Sequence, residues 1–115
     1  MSSDELMMEK RQSIRTVLRT SLVMTIRDGN RISGESVDIG EGGCCGRFVR
    51  QMQLGEKVHL TTTLPTLHAP LRVEFDAVVA WCILSQGSYK IGFKFVLIGE
   101  SQKSAIRRLC TMGKA

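Results

Sequence analysis

No run of 18 or more apolar residues occurs in this 115-residue chain, so no segment has the length of a membrane-spanning helix. The first residues include Ser2, Ser3, Asp4 and Glu5, unlike the basic-then-apolar start of a secretory leader, and a cytoplasmic setting is the expectation. Aromatic residues are scarce: one Trp, one Tyr and four Phe, most at apolar alternating positions. That leaves little for a barrel that stacks the bases of single-stranded nucleic acid on exposed rings, and no nucleic acid partner is expected. The four cysteines, Cys44, Cys45, Cys82 and Cys110, contain no C-x-x-C pair; reduced, mostly buried thiols are expected, with no metal site. His59 and His68 have no partners at ligand or triad spacing. No nucleophile–base pairing or P-loop is present, so the chain reads as a binding protein rather than an enzyme, with no cofactor.

What is present suits one compact domain. Hydrophobic residues make up 43% of the chain, enough for one modest core. The formal charge is +5, and Lys10, Arg11, Arg15, Arg19, Arg27 and Arg31 all fall early, which favours an anionic ligand near the N-terminal part. Taken singly, any one of these arginines reads more readily as solubilising a strand face.

Period-2 alternation dominates the middle of the chain. Leu18, Leu22, Met24 and Ile26 predict a first strand over 18–26, and Asp28-Gly29-Asn30 a turn into a second over 31–37. A third is expected over 44–50, a fourth over 58–64, a fifth over 73–83 and a sixth over 89–97. In the fifth, Val73, Phe75, Ala77, Val79, Trp81 and Ile83 share one face, so Trp81 is read as core. Six short antiparallel strands suggest a small barrel, which leaves no exposed sheet edge. Between Ser101 and Gly113 the period becomes helical, with Ala105, Ile106, Leu109, Cys110 and Met112 in one stripe expected to cover a barrel opening. Ser2 and Glu5 form a capping-box pattern for a short helix through Met8, too short to be stable alone. Residues 1–9 are therefore read as a flexible tail and 10–113 as the domain, with a mobile basic N-terminal arm reaching to about Ile14.

Two clusters carry the functional signal. Arg11-Gln-Ser-Ile-Arg15 puts two guanidinium forks ahead of the first predicted strand, and Asp38-Ile-Gly-Glu-Gly-Gly43 puts a carboxylate and a glycine-rich turn at the end of the second. A spacing of four keeps Arg11 and Arg15 on one side of the segment in a helix, or about 13 Å apart when extended. Alone, the second cluster reads more readily as a glycine-rich bulge between strands than as a binding site.

In order and spacing these clusters resemble the PilZ domain, a bacterial six-stranded barrel that binds cyclic di-GMP. Arg11 and Arg15 match its R-x-x-x-R, and Asp38 to Gly43 match its Asp/Asn-x-Ser-x-x-Gly, with Gly40 standing where serine is usual. Val78-Val79-Ala80-Trp81 and Ile91-Gly92-Phe93-Lys94-Phe95 look like its last two strands. The resemblance implies a mainly β fold and a non-enzymatic receptor whose ligand site comprises Lys10, Arg11, Arg15, Asp38, Gly40, Gly42 and Gly43. The arginines would read the guanine O6 and N7 edge, and Asp38 would accept from guanine N1–H and the amino group. Lys10 lies where the family sets whether one or two ligand molecules bind. The resemblance further implies a downstream protein partner, a monomer or weak dimer, and a role in bacterial motility or biofilm control. A PilZ-like module working through protein contacts without nucleotide is the alternative that Gly40 raises.

Overall fold

The computed structural model describes residues 15–112. Lys10, Arg11, the helix expected through Met8, the tail 1–9, the basic arm up to Ile14 and the helix stop at Gly113 lie outside the described residues.

Seven strands and one helix form in the order β1 (Arg15–Val17), β2 (Ser21–Thr25), β3 (Arg31–Gly40), β4 (Gly43–Phe48), β5 (Lys57–Leu64), β6 (Leu71–Ser85), β7 (Ser88–Leu97) and α1 (Glu100–Met112). All strand pairings are antiparallel. The ring β3-β2-β5-β6-β7-β4 closes through the β3–β4 pairing, giving a six-stranded barrel with β1 added outside it along β3. The expected barrel is therefore correct, while the first expected strand, 18–26, is shorter than expected and corresponds to β2 alone, and the additional strand β1 precedes it. Among the described residues no helix is long and apolar enough to cross a membrane.

The gap between β1 and β2 has a local cause. At Leu18–Thr20 the chain leaves the ladder, and the buried Ser36 of β3 takes over its polar groups. Its hydroxyl accepts from the Thr20 N–H at 2.9 Å and bonds the Leu18 carbonyl. The Leu18 N–H reaches the Val37 carbonyl at 3.0 Å and the Ser36 N–H the Thr20 carbonyl at 2.8 Å. The N–H groups of Leu18, Thr20 and Ser36 are thus all bonded at the kink, so a strand break here is inexpensive. It frees β1 to pair with the last residues of β3, placing Arg15 opposite Gly40.

Alternation fills the barrel. Leu22 and Met24 of β2, Leu60 and Leu64 of β5, Phe75 and Val79 of β6 and Ile91 and Phe93 of β7 are all buried in one core. Phe75 and Phe95 stack at 4.2 Å between ring centroids, and Phe48 meets Phe93 edge-on at 5.9 Å. Helix α1 adds Ile106, Leu109 and Cys110 to that core, as its stripe predicts. Gly99 opens the helix: its carbonyl accepts from the Lys103 N–H at 3.0 Å, and the Gln102 side chain returns to the Gly99 N–H at 2.7 Å. That reciprocal capping fixes where the chain leaves β7.

Outside the barrel, pairing of β5 with β6 gives His59 the partners its sequence neighbourhood lacks. Nδ1 lies 2.9 Å from Asp76 and Nε2 2.7 Å from Glu74, and bonding to Asp76 and then to Glu74 raises the imidazole above its ordinary 6.5. The same contact with His59 lowers the Glu74 carboxyl below its usual 4.5. A folded-state histidine pKa above the unfolded one stabilises the fold fully below about pH 6.5 and stops doing so as pH rises through the raised value. The Glu74 shift has the opposite sense and is lost as pH falls below about 4.5. Melting temperature is thus expected to fall by a few degrees at most between pH 6 and pH 9, since the groups are exposed. Calorimetric scans of His59→Gln should lack that slope; an unchanged slope assigns it elsewhere.

Candidate functional site

Arg15 of the first cluster and Asp38 of the second converge at β3. Arg15 in β1 and Asp38 in β3 form an ion pair, Arg15 Nη1 to Asp38 Oδ1, at 2.8 Å on a partly exposed surface. A single nitrogen and a single oxygen meet. The other guanidinium nitrogens and the second carboxylate oxygen have no protein hydrogen bond among the described residues. Arg15 is the first residue of β1 rather than part of a segment ahead of the strands. Asp38 and Gly40 belong to the extended end of β3 rather than to a turn after it.

Cross-strand register shows what else lies on this surface. Val17 pairs with Asp38, Asp38 with Cys45, Cys45 with Gly92 and Gly92 with Trp81. Residues directly opposite one another in a sheet project from the same face, so these five form one row across β1, β3, β4, β7 and β6. The neighbouring row Ile39, Cys44, Phe93 and Val79 is buried, which sets the first row on the outside of the barrel.

Two β-bulges create this row. One lies in β3 between Ser36 and Asp38 and turns Asp38 outward; the other lies in β6 between Val79 and Trp81 and does the same for Trp81. Trp81 is therefore 40% exposed, which corrects its assignment to the core. The indole lies over Gly92, where a Cβ would stand 2.2 Å from indole Cε2 and Nε1. Only glycine at position 92 lets the ring lie down on the sheet.

Cations rim the row. Arg47 pairs with Lys90 on one side and Gly43 with Lys94 on the other. The Arg47 guanidinium is anchored to the Ser85 carbonyl at 3.1 Å and the Ser88 hydroxyl at 3.2 Å. Burial raises the Cys45 thiol above its usual 9.0, Asp38 raises it further, and Lys90, Arg15 and Arg47 act in the opposite direction. Cys44, facing inward, is pushed up to about 12 by burial. Both shifts disfavour the reactive thiolate, and no disulfide joins Cys44, Cys45, Cys82 and Cys110. Among the described residues no three His, Cys, Asp or Glu side chains group as a metal site.

The glycines of the second cluster divide. Gly43 is buried in β4, and its missing side chain is required by packing, since a Cβ there would stand 2.0 Å from the Phe93 carbonyl oxygen. Gly40 is buried and Gly42 exposed. Glu41, between them, is tied to Arg107 of α1 at 3.2 Å.

The family model of the PilZ domain matches residues 9–112, nearly the whole chain. The chain belongs to the PilZ domain family. A search of curated proteins found no match. Among solved structures, this PilZ domain is similar to the Bacillus subtilis inhibitor of motility MotI/DgrA, with a TM-score of 0.82 at 21% identity over 90% of this chain and 51% of that one. It is also similar to the PilZ domain with c-di-GMP of YcgR from Escherichia coli, with a TM-score of 0.72 at 11% identity over 91% and 92% of the two chains. The apo state of MrkH from K. pneumonia gives a TM-score of 0.71 at 16% identity over 90% and 50%. The chain thus spans about half the length of MotI/DgrA and MrkH.

Of the site residues expected from sequence, Arg15 and Asp38 meet directly, Gly40 pairs with Arg15, and Gly42 and Gly43 follow in the adjoining turn and β4. Lys10 and Arg11 lie outside the described residues. Trp81, Gly92, Cys45, Arg47 and Lys90 were not among those expected. Alternation could have found part of this set: Ile91, Phe93 and Phe95 point inward, so Lys90, Gly92 and Lys94 must point outward. Trp81 carried no such signal, because its bulge breaks the period.

Proposed function

We propose that this PilZ domain is a non-enzymatic receptor for cyclic di-GMP, bound on the outer face of the barrel between Arg15 and Trp81 and relayed to a downstream protein. The observation that carries this reading is the Arg15–Asp38 pair at 2.8 Å, with Asp38 in one row with an exposed indole. The two groups address complementary edges of guanine. A guanidinium fork donates to O6 and N7, while a carboxylate accepts from N1–H and the amino group. Trp81 offers a π-face for a base, and Arg47, Lys90 and Lys94 supply the positive field that two phosphates need. Lys10 and Arg11 enter through the family pattern. The YcgR PilZ domain with c-di-GMP shares the fold, which supports the ligand class. Trp81 is the one aromatic side chain exposed among the described residues, which disfavours a single-stranded nucleic acid platform. Such a receptor would work in the bacterial cytoplasm, in control of motility or biofilm.

The chain has a single tryptophan, so its fluorescence reports the site directly. Titration with cyclic di-GMP is expected to change Trp81 emission saturably, while GMP at equal concentration leaves it near baseline. Emission unaltered at saturating cyclic di-GMP would remove Trp81 from the site.

Gly40 is where this chain departs from the usual serine. It ends an extended strand and is not among the glycines with positive φ, which are Gly29, Gly55 and Gly87, so its backbone admits serine without that strain. One added hydroxyl donor is worth about 0.5–1.5 kcal/mol. Gly40→Ser should therefore tighten binding roughly three- to tenfold by titration calorimetry. An equal or weaker affinity would mean that the ligand makes no bond at this position.

A further inference from the structure

A second concavity lies apart from the outer-face row, between the 65–71 loop joining β5 to β6 and the C-terminal half of α1. It has a volume of about 680 Å³, in the range of cavities that hold a ligand or an anchoring side-chain cluster. Its walls are apolar: Pro65, Leu67, Pro70, Leu71, Ala105 and Leu109. Leu67 is 84% exposed and Leu71 43%, so large apolar side chains stand in water beside it. The loop that presents Leu67 is built: the Thr66 hydroxyl bonds the Ala69 carbonyl and accepts from the N–H groups of Ala69 at 3.1 Å and His68 at 3.3 Å.

Charge around the groove has one sign. Among the described residues, Arg107 and Arg108 line it and no carboxylate does. Among the described residues Arg108 has no ion-pair partner, whereas Arg107 reaches back to Glu41 at 3.2 Å and to Glu100 at 3.8 Å. Glu41 stands between Gly40 and Gly42, in the connection from β3 to β4. One guanidinium therefore touches both the wall of the groove and the glycine turn of the nucleotide site.

We propose that this groove is the output surface of the domain and takes an acidic amphipathic helix of a partner protein, with Glu41–Arg107 linking its occupancy to the nucleotide site. A helix carrying apolar anchors at i, i+3 or i+4, and i+7 suits a trough between a loop and a helix, and flanking carboxylates answer Arg108. A second copy of the chain fits worse, because a two-fold contact through the groove sets the arginines of both copies against each other. Nucleic acid fits worse as well, because among the described residues no Phe, Tyr or Trp lines the groove. The link to the nucleotide rests on the function proposed above; the groove itself does not.

Fluorescence anisotropy with two dye-labelled synthetic helical peptides, sharing one leucine stripe but flanked by Glu in one and Lys in the other, tests the surface. The Glu-flanked peptide is expected to bind saturably, Leu67→Asp to weaken it at least tenfold, and Arg108→Glu to reverse the preference. Both residues are exposed, so both variants should keep the fold. Equal binding of the two peptides, no binding, or binding unaffected by Leu67→Asp overturns the proposal. So does a dimer by sedimentation that Leu67→Asp abolishes, which would give the groove to a second copy. Saturating cyclic di-GMP should shift the Glu-flanked peptide's affinity threefold or more, and Glu41→Gln should remove the shift. Calorimetry on the same sample separates the failures: nucleotide heat without a shift overturns the link, and absent nucleotide heat overturns the receptor reading while the nucleotide-free titrations still judge the groove.

Discussion

Arg15→Ala is expected to weaken cyclic di-GMP binding by ten- to a hundredfold or more while leaving the melting temperature nearly unchanged. The two halves of this expectation have different origins. For folding, the Arg15–Asp38 contact is one exposed ion pair, with side chains 47% and 32% accessible, and such pairs contribute about 0–1 kcal/mol. For binding, the same guanidinium would give paired charge-assisted hydrogen bonds to one guanine edge, worth about 1.5–3 kcal/mol once shielded by the ligand. Arg15→Lys retains the charge and loses the planar fork, so most of the loss should persist. Calorimetric affinities for both variants, with thermal melts of the same samples, check this. A dissociation constant within threefold of the parent would take Arg15 out of the site, and a large fall in melting temperature would recast the pair as structural.

Gly43→Ala should have the opposite profile, a loss of stability before any loss of ligand contact. Its Cβ would lie 2.0 Å from the Phe93 carbonyl oxygen, 3.1 Å from its carbon and 3.3 Å from the Lys94 Cα. All three are backbone atoms, so no rotamer change relieves the clash; β4 must move away from β7. That pairing joins Gly43 through Phe48 to Lys94 through Tyr89 and helps close the barrel. Overpacking of this kind costs about 3 kcal/mol, and a domain of this size loses roughly 4–8 °C per kcal/mol, so a drop of about 10 °C or more is expected. A variant melting within 2–3 °C of the parent, where a roughly 10 °C loss is expected from overpacking, would show that β4 can shift at little cost. The glycine would then be leaving space for the ligand rather than for the ladder.

The contrast between these residues marks how far the sequence could be read. Strands β5, β6 and β7 and the core stripe of α1 follow from period, because their buried residues alternate or recur at helical spacing without interruption over most of their length. Arg15 and Asp38 were legible only through motif order, since nothing local says that residues 23 apart will meet. Trp81 was misread for a definite reason: it shares odd parity with Val79 and Phe75, and the bulge between Val79 and Trp81 reverses its face. The break at Leu18–Thr20 was hidden because its hydrogen bonds go to Ser36, a residue whose part depends on register. His59 gained its carboxylates the same way, across a strand pair rather than along the chain. Parity within a strand survives from sequence to structure where no bulge interrupts it. Register between strands does not, and the outer-face row is made of register.

The most direct measurement is isothermal titration calorimetry of the chain with cyclic di-GMP, with GMP and a short single-stranded RNA as controls. Saturable heat from cyclic di-GMP alone, lost on Arg15→Ala, is the expected result. No heat from cyclic di-GMP at concentrations well above those of the protein, or equal heats from all three ligands, would contradict a cyclic dinucleotide site between Arg15, Asp38 and Trp81.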